Sequence, residues 1–212
     1  MQILDRVLHE DFGFKHRLWI YSGLRGVHCW VCDQTARELQ STIRQAIVEY
    51  LTVISEESIL YLMKFNFLYI YRKAREIILT EFDGYSCLEQ DFLGDDQRTE
   101  RFLRLVPDDN ILFSIKFETR NLLLKKKGFF LFISYRKAAY ITLVDEIMFE
   151  YCYPRLDVNV TKGMNHLLKS PYSIHPKTGR ISIPIPLESL AYFDPCKEDC
   201  VPNLNELCQQ VE

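Results

Sequence analysis

Apolar residues recur at Ile3, Leu4, Val7 and Leu8 with charged residues between them. That spacing predicts one buried face of a helix over residues 1–16, which Gly13 interrupts. The pattern then changes to that of a sheet. RLWIYS and GVHCWVC are rich in β-branched and aromatic residues, and Ser22-Gly23-Leu24-Arg25-Gly26 lies between them. This predicts a β-hairpin over residues 17–33. Residues 34–54 return to helical spacing, with Leu39, Ile43, Ile47, Leu51 and Ile54 on one face and Asp33 or Thr35 placed to cap the start.

Further along, residues 55–110 read as largely helical. Tyr61 to Phe82 is apolar at mixed spacing and carries the basic cluster Arg72, Lys73 and Arg75; a later helix ends at Pro107. Residues 111–143 mix apolar runs with Lys125-Lys126-Lys127 and keep no steady period. A helix is expected from Asp145 to Tyr151, then an extended piece from Pro154 to Val160, and a short turn or helix through His166. A loop punctuated by Pro and Gly leads into a strand, Arg180 to Pro184; the tail from Pro186 to Glu212 holds two acidic turns and a final helix. There is no internal repeat and no low-complexity segment.

Composition adds bounds. With 212 residues, 48% hydrophobic and 26% charged, the chain has the balance of a globular protein with a sizeable core. A net charge of −3 gives no overall basic footprint, so attraction for phosphate has to come from a local patch. The seven cysteines are odd in number and widely scattered, and the charged N-terminus is no signal sequence, which points to a reducing compartment. The most apolar stretch, Gly128 to Ile133, is far too short to span a bilayer, so no membrane association is expected.

Four constellations could carry chemistry. In Ser22-Gly23-Leu24-Arg25-Gly26-Val27-His28, two glycines let the backbone turn tightly, and a hydroxyl, a forked cation and a ring donor stand close together. Such a turn suits the phosphates of a nucleotide, or is simply a hairpin turn with surface residues. Cys29-Trp30-Val31-Cys32 has the spacing of a metal or redox pair, but alternation puts the two thiols on opposite faces and no second pair completes a zinc site. Core cysteines are the expectation there, and a solvated tail is expected for Cys196 and Cys200. Asp157, in the extended segment, could point into a cleft and hold a divalent metal, pair with Arg155, or cap the next turn. The segment from His166 to Arg180 packs three cations and two histidines into a Pro-stiffened loop, suited to a polyanion or merely solvated. Asp95-Asp96 and Asp108-Asp109 read as surface or helix-end acids.

Taken together, FGFKHRLWIYSGLRGVHCWVCD and EYCYPRLDVNVTKGMNHLLKSPYSIHPKTGRISIPI resemble the small, catalytic subunit of eukaryotic DNA primase, in the archaeo-eukaryotic primase family. The strong match covers residues 9–54 and 145–195, with a looser fit from 65 to 109. The resemblance implies an α+β fold: a mixed β-sheet core from residues 1–54 and 145–195, a mostly helical insertion over 55–144 in which 110–143 is atypical, and a tail over 196–212. It implies RNA primer synthesis on single-stranded DNA by two-metal nucleotidyl transfer from ribonucleoside triphosphates, in the nucleus, with the primase large subunit and DNA polymerase α as partners.

Residue by residue, the resemblance makes Ser22, Gly23, Arg25, Gly26, Val27 and His28 the loop that holds the incoming triphosphate. His166, Leu167, Leu168 and Lys169, followed by His175, become the second nucleotide-binding segment. Asp157 becomes the catalytic, metal-binding aspartate, with Mg²⁺ or Mn²⁺ as cofactor. Three departures go with it. The family's N-terminal part, with its paired DxD aspartates and zinc cysteines, has no counterpart here, so the chain is expected to be a truncated fragment, inactive alone and without the structural zinc. Leu24 stands where the family usually has Arg. Residues 110–143 read as a divergent insertion or a translated intron, which sequencing the transcript would decide. An interaction fragment that binds the large subunit or the polymerase is the alternative reading, and a repair polymerase of the same superfamily a third.

Overall fold

The computed structural model describes residues 1–52, 69–82, 94–105, 138–197 and 199–211. Its contacts divide the chain into two compact units, Met1–Leu51 with Leu156–Glu212, and Thr52–Arg155. Helices and a small antiparallel sheet make the chain α+β. The expectations for Ile54, Pro107, Asp108-Asp109 and the Lys125 to Lys127 run fall outside the described residues.

The first unit opens with helix α1 (Gln2–Glu10), shorter than the expected 1–16. Beyond it Gly13, at φ +69°, takes a left-handed turn that lets its N–H reach His9 O and the Phe14 N–H reach Leu8 O. The hairpin follows as β1 (Arg17–Tyr21) and β2 (Val27–Val31), in register from Arg17 opposite Val31 to Tyr21 opposite Val27. Asp5 on α1 fastens the helix to β1. Its buried carboxylate accepts from Arg17 Nε at 2.7 Å, Arg17 Nη2 at 2.9 Å and Trp19 Nε1 at 2.8 Å. Burial alone would push the Asp5 carboxyl up, but these hydrogen bonds and the Arg17 charge outweigh it and hold the group below its ordinary value.

Residues 34–54 are not one helix. A short α2 (Gln34–Arg37) stops and α3 (Ser41–Leu51) starts afresh. Arg44 folds back on the break: its guanidinium donates to Leu39 O at 3.0 Å, Ala36 O at 2.9 Å and Arg37 O at 3.1 Å, satisfying carbonyls that a continuous helix would have used itself. The core face shifts accordingly. Val48 and Leu51 are buried, whereas Ile43 is exposed. Asp33 precedes α2, but its carboxylate does not cap it; it accepts from Lys15 N and His16 N, both at 2.9 Å, and closes the base of the hairpin.

The chain re-enters this unit at Leu156. The extended piece ends at Asp157 rather than Val160, because Asp157 caps helix α7 (Val158–Lys162), which lies against α3. The expected strand from Arg180 is not a full strand. It touches its neighbours through single bridges, Ile181 to Ile174 and Pro184 to Ile20. At the second, Tyr21 N donates to Ile183 O and Ile185 N to Trp19 O, each at 2.9 Å. Pro184 sits between these bonds, where it needs no N–H. The sheet described is thus a two-stranded antiparallel pair with a third chain bridged to β1. Tyr21, Ile185 and Val201 form a core under the tail, with Phe193, Leu190 and Cys200 packed on it. The tail ends in a 3-10 turn (Leu187–Ser189) and α8 (Leu204–Val211).

The second unit is helical where described: α4 (Tyr69–Phe82), α5 (Asp96–Leu103) and α6 (Ala138–Cys152). α6 begins seven residues before the expected Asp145. Asp145 is buried and accepts from Tyr71 OH at 2.7 Å and Arg75 Nε at 2.8 Å, joining α6 to α4. The basic cluster therefore turns largely inward. Arg75 is spent on Asp145, Lys73 is buried with its ammonium 3.4 Å from the Tyr69 ring centre, and Arg72 is exposed. Asp95 caps α5, accepting from Arg98 N at 2.7 Å, which makes it a helix-end acid. Among the described residues no helix is long and apolar enough to cross a membrane.

Candidate functional site

The turn between β1 and β2 is held by its own ends. Ser22 N donates to Gly26 O at 2.9 Å and Gly26 N to Ser22 Oγ at 3.2 Å. Tyr21 OH donates to Leu24 O at 3.0 Å. Among the described residues the N–H groups of Gly23, Leu24 and Arg25 form no hydrogen bond, and the exposed Arg25 side chain has no partner. A run of unpaired N–H groups around a glycine at φ +88° is the backbone of an anion nest.

The loop from His166 to Arg180 meets this turn, although some 140–155 residues separate them. A Cβ on Gly23 would lie 2.7 Å from His175 Cβ and 3.2 Å from Arg180 O, so the absence of a side chain is what lets the two segments touch. Thr178 Oγ1 donates to Gly23 O at 2.8 Å, and Trp30 Nε1 on β2 donates to Lys169 O at 3.1 Å. The loop is tight in itself. His175 N donates to Arg180 O at 2.8 Å, and Gly179, at φ +68°, returns its N–H to His175 O at 2.9 Å.

The side chains gathered there are cations and ring donors. Lys169 Nζ rests on Ile174 O at 3.4 Å, a long contact that a stronger acceptor can replace. His28 is half-buried. Burial first, and then the charge of Lys169, hold its ring below the ordinary imidazole value. His175 Nδ1 is buried without a hydrogen-bond partner among the described residues. Ser22, Gly23, Arg25, Gly26, Val27, His28, Lys169 and His175 thus belong to one neighbourhood. Leu168 is partly covered, whereas His166 is exposed and Leu167 almost wholly so at 96%. Sequence reasoning passed over Thr178, Trp30 and Asn203, whose role is to hold others.

The cysteine pair departs from expectation in part. Burial pushes the Cys29 thiol up to about 12, so it stays protonated, but Cys32 is exposed rather than core. In the tail, Cys196 is exposed, while Cys200 packs on the Tyr21 cluster.

Asp157 is exposed, and its Oδ1 accepts from Asn159 N at 3.1 Å and Val160 N at 3.3 Å. Arg155 belongs to the second unit, where its guanidinium meets Glu150 at 2.5 Å. Among the described residues no three His, Cys, Asp or Glu side chains come together as a metal site. One carboxylate with an oxygen already engaged does not by itself fit Mg²⁺ or Mn²⁺, which take several hard oxygen ligands.

The family model for the DNA primase small subunit matches residues 1–187, the whole of this neighbourhood. The chain belongs to the DNA primase small subunit family. It is 33% identical to the DNA primase small subunit of Drosophila melanogaster, over 99% of this chain and 52% of that protein. Against the Schizosaccharomyces pombe DNA primase small subunit the identity is again 33%, over 100% of this chain and 50% of the relative. The likeness extends to an archaeal DNA primase small subunit PriS, from Thermococcus sibiricus, at 27% over 94% of this chain and 57% of that protein. The chain spans about half the length of the curated relatives it matches.

Proposed function

We propose that this chain carries the triphosphate-gripping face of a DNA primase small subunit, which acts in the nucleus to make RNA primers on single-stranded DNA with the primase large subunit and DNA polymerase α. The observation that carries this reading is the seating of Gly23 against His175, with Thr178 bonded to Gly23 O at 2.8 Å. It brings the turn at 22–28 against the loop at 166–180, the two segments that carry the family resemblance.

The chemistry assigned to these residues is binding and orientation. The free N–H groups at 23–25 and the Arg25 fork receive phosphate oxygens. Lys169 leaves Ile174 O and neutralises phosphate charge, while His28 and the unpaired His175 Nδ1 supply ring donors. His166, Leu167 and Leu168 open the second segment and are proposed, from the family resemblance, to take part in holding the nucleotide. Divalent metal use goes with the family, and Asp157 is proposed as one contributed ligand. Asp157 does not complete a site alone, and further hard oxygen ligands are needed for the ion. The chain is expected to make no primer with Mg²⁺ or Mn²⁺, ATP and poly-dT; template-dependent product would refute this.

Calorimetric titration of ATP into the 212-residue chain tests the binding reading. Arg25→Ala and Lys169→Ala should each weaken binding about tenfold or more, the loss of a charge-assisted hydrogen bond at about 1.5–3 kcal/mol. A folded chain that binds no ATP, or binds it equally without both cations, would leave the interaction fragment as the better reading.

A further inference from the structure

We propose that Asn203, at the start of α8, is a positioning residue for the triphosphate turn and acts on it through Thr178. The proposal rests on the nucleotide-binding reading above and adds a residue beyond the family match, which ends at 187.

Asn203 is fixed from both ends. Its Nδ2 donates to Thr178 O at 3.1 Å, and its Oδ1 accepts from Asn205 N at 3.1 Å. The backbone around it joins the same loop: Leu204 N donates to Gly179 O and Ile181 N to Pro202 O, each at 3.0 Å. The turn at Gly179 lies directly on the amide, since a Cβ there would be 3.2 Å from Asn203 Oδ1. The tail thus grips the 178–181 backbone at three points.

Thr178 passes the constraint on. Its Oγ1 donates to Gly23 O at 2.8 Å and accepts from Arg180 N at 3.3 Å, so the hydroxyl has one orientation. A trans peptide is planar, with C=O and N–H pointing opposite ways. Tying Gly23 O to Thr178 therefore aims the Leu24 N–H away from the protein body, with the unpaired donors of the turn. Without the tie, the 23–24 peptide plane is free to rotate, and that donor is lost to an incoming phosphate. The link runs from α8 through one side-chain amide and one hydroxyl to a single backbone N–H.

Two measurements on the 212-residue chain decide the matter. The first is hydrogen exchange without ligand. Thr178→Val keeps the shape and removes the hydroxyl, so exchange at Ser22 N and Gly26 N should speed up about tenfold, the loss of one ordinary hydrogen bond. Thr178→Ser should match the wild type. The second is affinity for ATP against AMP. Thr178→Val and Asn203→Leu should weaken ATP about five- to tenfold and leave AMP within twofold, because the aimed donor serves the outer phosphates. Unchanged exchange in Thr178→Val overturns the proposal, as do equal losses for ATP and AMP or a serine variant that behaves like valine. Should Thr178→Val not fold, Asn203→Asp, which keeps the acceptor and loses the donor, reads the same exchange. If the wild type binds no ATP, the nucleotide-binding reading fails, while the exchange still tests the clamp.

Discussion

Replacing Gly23 by alanine asks two things of the turn at once. The backbone must hold an L residue at φ +88°, and a methyl must fit 2.7 Å from His175 Cβ and 3.2 Å from Arg180 O. The first costs about 1–2 kcal/mol for a left-handed L residue. The second is an overlap of about 1 Å against an ordinary carbon contact of about 3.5–4.0 Å. Its neighbours are a Cβ and a carbonyl, so only backbone movement relieves it, at about 1–3 kcal/mol. Gly23→Ala should therefore destabilise by about 2–5 kcal/mol. Two other glycines separate the contributions. Gly13 has φ +69° with open space around it, so Gly13→Ala should lose only the backbone part, about 1–2 kcal/mol. Gly26 has its nearest contact at 3.7 Å and no left-handed φ, so Gly26→Ala should be neutral or gain about 0.4–1 kcal/mol from a stiffer unfolded chain. Urea unfolding of the three variants gives the order directly, and ATP titration should show a loss in Gly23→Ala but not in Gly13→Ala. If Gly23→Ala is no worse than Gly13→Ala, the two segments are not in the close contact described.

Asp5→Ala should cost about 3–5 kcal/mol, because Arg17 and Trp19 lose their common partner in a buried setting; thermal unfolding reads this. The Asp5 carboxyl is held below its ordinary value, so its share of stability is full above about pH 3.9 and is lost as pH falls through the folded value; an acid titration of wild type against the variant shows the difference. Asp157→Ala should lose about 1 kcal/mol of stability, while Asp157→Asn, an equally good cap, should melt with the wild type; equal losses in both would mean that the carboxylate's charge matters more than its capping. The His28 ring is held low, so the unfolded chain takes up its proton first, and its contribution to stability falls as pH drops below about 6.5. A bound triphosphate favours the imidazolium instead. ATP affinity should therefore rise as pH falls through that range, more steeply in wild type than in His28→Gln, and parallel slopes would remove His28 from the site.

The hairpin and α1 were legible in the sequence because each is set by local periodicity and its own turn residues. What was misread depends on side-chain bonds and faces that apolar spacing does not show. Nothing in the apolar spacing of residues 34–54 shows that Arg44 will fold back to satisfy Ala36, Arg37 and Leu39 and so divide the helix. The extended piece was carried on to Val160, although capping of the next turn was one of the readings of Asp157: an aspartate two and three residues before free N–H groups is worth most as a cap, and it ends the segment there. α6 starts at Ala138 in a stretch whose apolar residues lack one polar face, so its period was hidden. The site divides the same way. Its charged and glycine residues were visible as types, whereas the holding roles of Thr178, Trp30 and Asn203 exist only once residues some 25 to 155 positions apart are brought together.

Pro184 has a consequence beyond letting its segment lie beside β1. Ile183 and Ile185 turn their polar groups inward to Tyr21 and Trp19, which leaves the groups of Pro184 facing outward. Pro186 follows as the cap of the 3-10 turn, with its carbonyl taken by Ser189 N at 3.1 Å. Both prolines lack the donor that an arriving strand would need. The segment closes this margin of the sheet against further chains, so one of the commonest routes to ordered self-association is blocked by two rings.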